Sequence, residues 1–372
     1  MLVTLVRRGL SLRLAARRVT CSVSTAWLWV RRARGRRLDR MAWTDRASGS
    51  ASPPNRTPRK LERRVIRLRR WLARHDPLGY VGAEAIRRRL LVEDPTAPSA
   101  RTIARILHRA GLTPQKRRRQ PPPPPGWYLP VVAKGAAELD QLDVVEGLHL
   151  RRLGQVEVLT GISLWGKLAL AEPAPRSWRV ESIRPVLTAH WARWGAPAYL
   201  QMDNDTRFAG SPRAVRRLGR LIRFCLGHGV VPLFAPPRET GFQAAVESFN
   251  ALWQAKVWQR FRHRDLRQLR TRKQAFLGAH RALPRAESPE RGRPPAPPAH
   301  QIIFLRRTDG TGRIRLLGAE LGVAVHWAHR LVRAELDVRT QTVRVYALRR
   351  REPTHQPLLK IIRFPLRGVA TF

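Results

Sequence analysis

Three carboxylates in separate segments are the residues of this chain best suited to chemistry. Asp143 and Asp203 each lie in a short apolar run, residues 141–145 and 200–205, with the composition of a β-strand. Glu247 lies in a stretch with the apolar spacing of an amphipathic helix. A fold that gathers the three side chains makes an acidic pocket, which is costly unless cations fill it. The expected occupants are Mg²⁺ or Mn²⁺, and two such ions about 3.5–4 Å apart serve phosphodiester chemistry.

Neighbouring polar residues compete for these roles or support them. Asp140 is an alternative to Asp143 as the first ligand, and Asp205 competes for the second position. Asn204 and Asn250 are expected to support the site, Asn204 by orienting a ligand or a metal-bound water, or else by forming a turn. A single Asp at a strand end is more often a cap or turn residue than a ligand. The combination of two strand-borne Asp and one helix-borne Glu favours the metal site.

The charge of the chain indicates a polyanionic partner. It has 72 Lys and Arg against 26 Asp and Glu, a formal net charge of +46. Residues 1–120 contain 31 basic and 7 acidic side chains, net +24, whereas residues 131–250 contain 15 and 11, net +4. The first third is therefore predicted to bind nucleic acid, and the middle is predicted to carry the chemistry. Coding bias could explain the preference for Arg over Lys, but it does not explain the regional difference.

Two helical patterns lie in the basic first third. Residues 9–34 show apolar helical spacing, a break, and a second short helix for which Ser22 fits the N-cap position. Ser22 and Thr25 open that helix. The pattern resembles the helix-turn-helix of transposases, and this resemblance implies that Ser22 and Thr25 contact DNA. The alternative is a basic helical hairpin with no specific role.

The second pattern covers residues 99–112, where Ser99 fits an N-cap and Gly111 fits the position after the helix. Arg101 and Arg105 lie opposite its apolar face, where a recognition helix places groups that read bases or phosphates. The alternative is an amphipathic helix with a solvated arginine face.

The rest of the chain alternates between strand and helix patterns. Three strand-like segments within residues 137–173 are followed by helices and strands in turn. This order predicts an α/β fold with a mixed sheet and helices on its faces. The five consecutive prolines of residues 121–125 predict an extended linker. Short alternating runs after residue 300 predict a small β-barrel-like domain.

These features resemble a known family. The element order, the motif Gln-Leu-Asp-Val at residues 141–144, Met-Asp-Asn at residues 202–204 and the helix-borne Glu247 followed by Asn250 are similar to the catalytic core of DDE-type transposases and integrases. The two helical patterns of the first third resemble the helix-turn-helix domains of such transposases. The resemblance spans roughly residues 9–350.

The resemblance implies a fold, an activity and partners. The core would be ribonuclease-H-like, with Asp143, Asp203 and Glu247 as catalytic ligands of two Mg²⁺ ions. Asp143 is favoured over Asp140 as the first ligand because Asp143 directly precedes Val144 and Val145, as in the family motif. The implied activity is cleavage and strand transfer at the ends of a mobile DNA element. The implied partners are element-end DNA, target DNA and further copies of the same chain.

The predicted domains follow from the linkers and from the resemblance. In chain order they are a helix-turn-helix domain over residues 1–46, a second over 60–115, a Pro-rich linker over 116–126, an integrase-type catalytic core over 127–283 and a small β-domain over 300–372.

The chain departs from the family pattern at two places. Asp205 follows Asn204 where the family usually has Gly, and Phe242 and Gln243 stand where it usually has Asn-Gly before the last Glu. These departures favour an alternative, a catalytically inactive DNA-binding protein. A second alternative is a ribonuclease-H-type metal nuclease, against which the two helix-turn-helix patterns argue.

The remaining composition bears on the compartment. Two cysteines, Cys21 and Cys225, are too few for a disulfide framework and suit a reducing cytosol. No apolar run approaches the ~20 residues that a membrane span needs. We expect a cytoplasmic, nucleoid-associated protein with no membrane partner.

Overall fold

The computed structural model describes residues 1–44, 57–113, 125–165, 168–282, 289–292 and 296–368. The chain divides into two compact units, Met1–Leu61 and Glu62–Phe372. Most of the predicted linker, residues 116–124, lies outside the described residues. The domain boundaries proposed from the sequence are finer than this division, and they stay predictions.

The first unit contains the predicted pair of helices and one more helix before them. Its helices are α1 Leu2–Arg7, α2 Leu12–Arg18 and α3 Val23–Ala33. The backbone N–H of Thr25 donates to Oγ of Ser22 at 3.0 Å, which confirms the predicted N-cap. Thr20, in the turn between α2 and α3, has a φ of 52°, in the left-handed region that favours glycine. The turn is therefore made without a glycine.

Three helices follow before the sheet. They are α4 Arg59–His75, α5 Ala83–Glu93 and α6 Ala100–Arg109. The N–H of Thr102 donates to Oγ of Ser99 at 3.2 Å, and Gly111 has a φ of 67° just after α6. Both predicted ends of this helix are confirmed. Its apolar side packs in one cluster, in which Ile86 and Ile103 are fully buried.

A large mixed sheet forms the centre of the second unit. Its nine strands are β1 Leu139–Leu150, β2 Gly154–Ser163, β3 Ala169–Ala174, β4 Tyr199–Met202, β5 Val231–Phe234, β6 Gln301–Arg307, β9 Leu331–Asp337, β10 Thr342–Ala347 and β11 Leu358–Arg363, and a separate pair is β7 Arg313–Leu316 with β8 Ala319–Gly322. The order across the sheet is β11-β10-β9-β6-β5-β4-β1-β2-β3. The four strands β1, β4, β5 and β6 are parallel neighbours, and the outer pairs are antiparallel.

Helices flank this sheet. They are α7 Pro130–Ala133, α8 Val180–Trp194, α9 Thr206–Ala209, α10 Arg220–Gly227, α11 Ala244–Trp253 and α12 Leu266–Arg281. The unit is thus α/β with a large mixed sheet and flanking helices, as predicted, and it is compatible with a ribonuclease-H-like fold.

The residues of β1 show how the two faces of the sheet are used. Leu142 packs with Trp191 of α8 in one buried cluster, and Val145 packs with Phe249 of α11 in another. Side chains alternate between the faces along a strand. Asp143 therefore lies on the face of α11, and Asp140 lies on the face of α8.

The C-terminal strands extend the same sheet. β6 pairs with β5 in parallel, and β9, β10 and β11 follow it outward. This differs from a free-standing barrel-like domain. The physical reason lies in residues 302–305 of β6, four consecutive apolar side chains that are all buried, which is typical of a strand inside a sheet covered on both faces.

Candidate active site

Asp143 lies at the centre of the predicted site, half-buried on β1. Its Oδ1 accepts a hydrogen bond from the N–H of Val144 at 2.8 Å, and its Oδ2 accepts one from Nδ2 of Asn250 at 2.8 Å. Burial raises the pKa of Asp143 above its usual value, and repulsion from the Asp203 and Glu247 carboxylates adds to the rise. Asp203 and Glu247 therefore both lie in electrostatic range of Asp143.

Asp203 lies beside Asp143 because of the strand register. β1 and β4 run parallel, and the last paired residues are Gln141 and Gln201. Asp143 lies two residues beyond this pair on β1, and Asp203 lies two residues beyond it, directly after the end of β4. Neighbouring strands lie about 4.8 Å apart in a sheet, so the register places the two aspartates close together. Burial raises the pKa of Asp203 too, and the nearby negative charge of Asp205 adds to the rise.

Glu247 comes from the first turn of α11 and is exposed. Asn250, three residues later, lies on the same side of the helix and is buried. The Asn250 amide donates to Asp143, as described above, while its Oδ1 has no hydrogen-bond partner in the structure. Asn250 therefore connects α11 to β1 through Asp143, and its supporting role at a metal site stays a prediction.

A buried polar network lies next to the three carboxylates. Nε2 of Gln141 donates to Oε1 of Gln201 at 2.8 Å and to the carbonyl of Phe242 at 2.9 Å. The hydroxyl of Tyr128 donates to the same Gln201 oxygen at 2.5 Å. Oε1 of Gln141 accepts from the N–H of Val246 at 3.0 Å. Gln141, Gln201 and Tyr128 are each at most 2% exposed.

This network connects the three segments that carry the predicted carboxylates. Gln141 lies two residues before Asp143, Gln201 two residues before Asp203, and Val246 one residue before Glu247. A fully satisfied buried network holds its members rigidly. The sequence carried a signal for it, a Gln two residues before each strand Asp, and sequence reasoning did not use that signal.

Asp140, the alternative first ligand, forms a buried ion pair with Arg291. Its two carboxylate oxygens accept from Nη1 and Nη2 of Arg291 at 2.9 and 2.8 Å, and the two side chains are 9% and 7% exposed. The pair faces α8, on the side of the sheet away from Asp143. Among the described residues none of Asp143, Asp203 and Glu247 forms an ion pair.

The two residues after Asp203 have structural partners. Nδ2 of Asn204 donates to the carbonyl of Ala235 at 2.7 Å, and its Oδ1 accepts from Nη2 of Arg306 at 2.8 Å. Asn204 thus joins the ends of β4, β5 and β6. Asp205 caps α9 and pairs with Arg207, at 2.8 Å between Oδ2 and Nη2, and this pairing lowers the pKa of Asp205. An Asp at this departure from the family pattern is therefore accommodated as a helix cap.

The other departure lies at the start of α11. Gln243 precedes the helix without capping it through its side chain, and its Nε2 donates to the carbonyl of Leu142 at 3.4 Å. The Phe242 side chain is buried against Tyr128, and its carbonyl is an acceptor of the buried network. Both residues therefore help to anchor α11 on the sheet.

The predicted DNA-contacting residues are all exposed. Arg101 and Arg105 lie on the outer side of α6, and no ion pair in the described chain involves them. Ser22 and Thr25 lie at the start of α3, where the Ser22 hydroxyl is occupied by the cap. Their predicted role in DNA contact stays a prediction.

The predicted ligands Asp143, Asp203 and Glu247 suit a divalent metal ion by their chemistry, but their grouping does not meet the requirement for a metal site. The three side chains offer only oxygen atoms, which Mg²⁺ and Mn²⁺ prefer, and a cation would relieve the repulsion that raises the Asp143 pKa. In the part of the chain that the structure describes, however, no three His, Cys, Asp or Glu side chains are grouped closely enough to hold a metal ion.

Known proteins give limited guidance. No protein family and no curated protein matches the chain. Among solved structures, a chain from the cryo-EM structure of the simian T-cell lymphotropic virus intasome in complex with PP2A regulatory subunit B56 gamma is similar, with 12% sequence identity and a TM-score of 0.33. The match covers 67% of this chain and 84% of that chain. At this TM-score the structural similarity is weak, so function is inferred from the residues themselves.

One further observation concerns membranes. Within residues that the structure describes, no helix is both long and apolar enough to cross a bilayer.

Proposed function

We propose that this chain is a DNA-acting polynucleotidyl transferase, a transposase or integrase of the DDE type with a ribonuclease-H-like core. The observation that carries the proposal is the position of Asp143 on β1 and of Asp203 directly after the neighbouring parallel strand β4, with Asp203 and Glu247 both in electrostatic range of Asp143. Unpaired carboxylates are unexpected in a chain with a net charge of +46, where basic partners are abundant. Such a cluster is explained if it serves a cation.

The proposed cofactor is Mg²⁺ or Mn²⁺, held by Asp143, Asp203 and Glu247. When bound, two such ions would activate the attacking oxygen and stabilise the leaving oxygen of a phosphodiester. The chain's own contribution is positioning. Asn250 holds one oxygen of Asp143 in place, and the Gln141 network keeps β1, β4 and α11 in a fixed relation, so the carboxylates need little reorganisation.

The proposed substrate is DNA at the ends of a mobile element, followed by target DNA. Support comes from the charge distribution, since residues 1–120 carry net +24, and from the exposed arginines of α6. Action as a homo-oligomer on paired ends belongs to the same proposal.

The test measures strand cleavage and strand transfer by the full chain on DNA carrying candidate ends, in Mg²⁺ and in Mn²⁺. Asp143→Asn, Asp203→Asn and Glu247→Gln should each abolish both reactions while DNA binding is kept. Glu181→Gln, which removes the same charge from an exposed side chain of α8, is the matched control and should stay active. Near-normal strand transfer by any of the three variants would remove that residue from the site, and full activity in excess EDTA would eliminate the mechanism.

A second candidate is a catalytically inactive DNA-binding protein. It is favoured by the absence of a converged metal site in the described residues and by Asp205 and Gln243 at the departures from the family pattern. Stable DNA binding without any cleavage in Mg²⁺ or Mn²⁺ would select this candidate.

A further inference from the structure

A cavity of about 240 Å³ lies beside the segment that follows Asp203. Its lining comes from Asn204 and Thr206 after β4, from the segment around Ser211 and Arg217, from Arg306 on β6 and from Arg315 on β7. Three of the lining residues are arginines and none is acidic. The volume is below the roughly 300–1,000 Å³ of sites for drug-sized ligands, so it suits a compact group.

Arg306 places a buried positive charge in this lining. The residue is 9% exposed, and its guanidinium donates to four neutral oxygens. These are the carbonyls of Arg315 at 3.1 Å, Leu305 at 2.8 Å and Ala235 at 3.3 Å, and Oδ1 of Asn204 at 2.8 Å. Burial lowers the pKa of Arg306 to about 10, which leaves it charged at neutral pH.

That charge has no counter-charge on the described protein. No carboxylate in the described chain forms an ion pair with Arg306. A guanidinium has five N–H donors, and the four bonds above leave one N–H of Nη2 to spare. A buried cation without an anionic partner is costly, and an anion from outside the chain would offset that cost.

The two other arginines add to the positive potential. Arg217 is exposed, and no described residue forms an ion pair with it. Among the described residues, Arg315 forms an ion pair only with Glu320, which lies outside the cavity lining and is also approached by Arg313 at 3.8 Å. Three arginines line one small volume together with Thr206 and Ser211, and this lining matches a compact anion with several acceptor oxygens.

We infer that this cavity is a phosphate-binding pocket, formed by Arg217, Arg306 and Arg315, next to the Asp203 segment. Asn204 connects the two sites, because it directly follows Asp203 in the chain and accepts from Arg306. The lining thus includes the residue that directly follows Asp203, one of the proposed catalytic carboxylates. The inference that the phosphate belongs to a DNA backbone, and is not free phosphate, rests on the proposed function. The inference that the pocket binds phosphate does not rest on it.

The decisive experiment uses the full chain and inorganic phosphate. Phosphate is compared with chloride at matched ionic strength, and the rise in Tm that phosphate alone produces is measured. Arg217→Gln removes one charge from an exposed position of the pocket and should lose most of this phosphate-specific rise. Arg306→Gln should lose it as well, but a fold defect could accompany that change. Arg217→Gln keeps the test independent of such a defect.

Arg223→Gln is the matched control. Arg223 is exposed on α10, and it is not part of the cavity lining. It should keep the wild-type response to phosphate. An equal phosphate-specific rise in Arg217→Gln, Arg223→Gln and the wild type would overturn the inference.

A second arm identifies the source of the phosphate. If the pocket takes a DNA backbone phosphate, Arg217→Gln should reduce the slope of log K against log[salt] for duplex DNA by about 0.9 relative to Arg223→Gln. If it takes only free phosphate, the phosphate-specific Tm rise is lost while DNA affinity and slope are unchanged. Neither result depends on cleavage, so a failure of the proposed catalytic function in Asp143→Asn would be seen separately.

Discussion

Two aspartates three residues apart on β1 occupy opposite electrostatic environments. Asp140, on the face of α8, is buried in a bidentate pair with Arg291. In the described chain, the side chain of Asp143, on the face of α11, accepts hydrogen bonds only from neutral donors and lies near two further carboxylates. The same residue type on the same strand therefore has a structural role on one face and a proposed chemical role on the other.

The surroundings of each aspartate reinforce this difference. On the Asp140 face, burial lowers the pKa of His190 to about 4, although Asp140 acts in the opposite direction, so this histidine is neutral at pH 7. A neutral His190 adds no second charge beside the Asp140–Arg291 pair. In the described chain, Asp143 and the two carboxylates near it, Asp203 and Glu247, form no ion pair. An aspartate already paired with an arginine has no charge left for a ligand, whereas carboxylates without a cationic partner are suited to attract a cation.

The largest effect is expected from Asp140→Asn. It leaves the Arg291 guanidinium buried without its counter-charge, which costs about 3–5 kcal/mol when one partner of a buried pair is removed. Denaturant unfolding of the full chain measures this loss. The double variant Asp140→Leu with Arg291→Met should recover most of the stability, because both charges are gone. A loss below about 1 kcal/mol in Asp140→Asn would show that the Asp140–Arg291 pair behaves like an exposed ion pair, and the contrast between Asp140 and Asp143 would then be wrong.

A smaller effect is expected from Gln141→Leu on the opposite face. It leaves the N–H of Val246 without its acceptor and removes two donated bonds, and unsatisfied buried groups cost about 1–3 kcal/mol. Cleavage should fall further than this loss of stability explains, because α11 is released from β1. Gln155→Leu, at an exposed position of β2, is the control. Unchanged cleavage in Gln141→Leu would mean that the network only stabilises the fold.

The smallest effect, of opposite sign, is expected from Asp143→Asn in EDTA. The pKa of Asp143 is raised in the folded state, so its ionised form lowers the stability of the fold at neutral pH, and this penalty disappears below the unfolded value of 3.8. The variant should therefore have a Tm a few degrees above that of the wild type at pH 7, and the difference should vanish as the pH falls below that value. Thermal unfolding across this pH range is the measurement.

In Mg²⁺ the wild type should instead have the higher Tm, because only the wild type keeps all three proposed ligands and is stabilised by the bound ion. Should Asp143→Asn be the less stable protein in EDTA at pH 7, the unmatched charge assigned to this face would be wrong.

Local patterns in the sequence were sufficient for the elements and for the candidate carboxylates. The caps at Ser22 and Ser99 and the positive φ of Gly111 are set by the nearest residues, and all three are confirmed. The apolar runs around Asp143 and Asp203 predicted strands for the same reason. Helical and strand periodicity depend on interactions within a few residues, so one segment is enough to reveal them.

The partners of those residues were decided only by the tertiary structure. The two-residue period places Asp140 and Asp143 on opposite faces, but it does not say that Arg291, 151 positions away, neutralises Asp140. Nor does any local pattern bring Arg306 to Asn204, or β6 to the edge of β5. Such contacts depend on strand order and register, which arise from burying all apolar faces of the chain at once. Residue types and their spacing in the sequence identify the candidate carboxylates. Tertiary contacts pair Asp140 with Arg291 and leave Asp143 without an ion pair among the described residues.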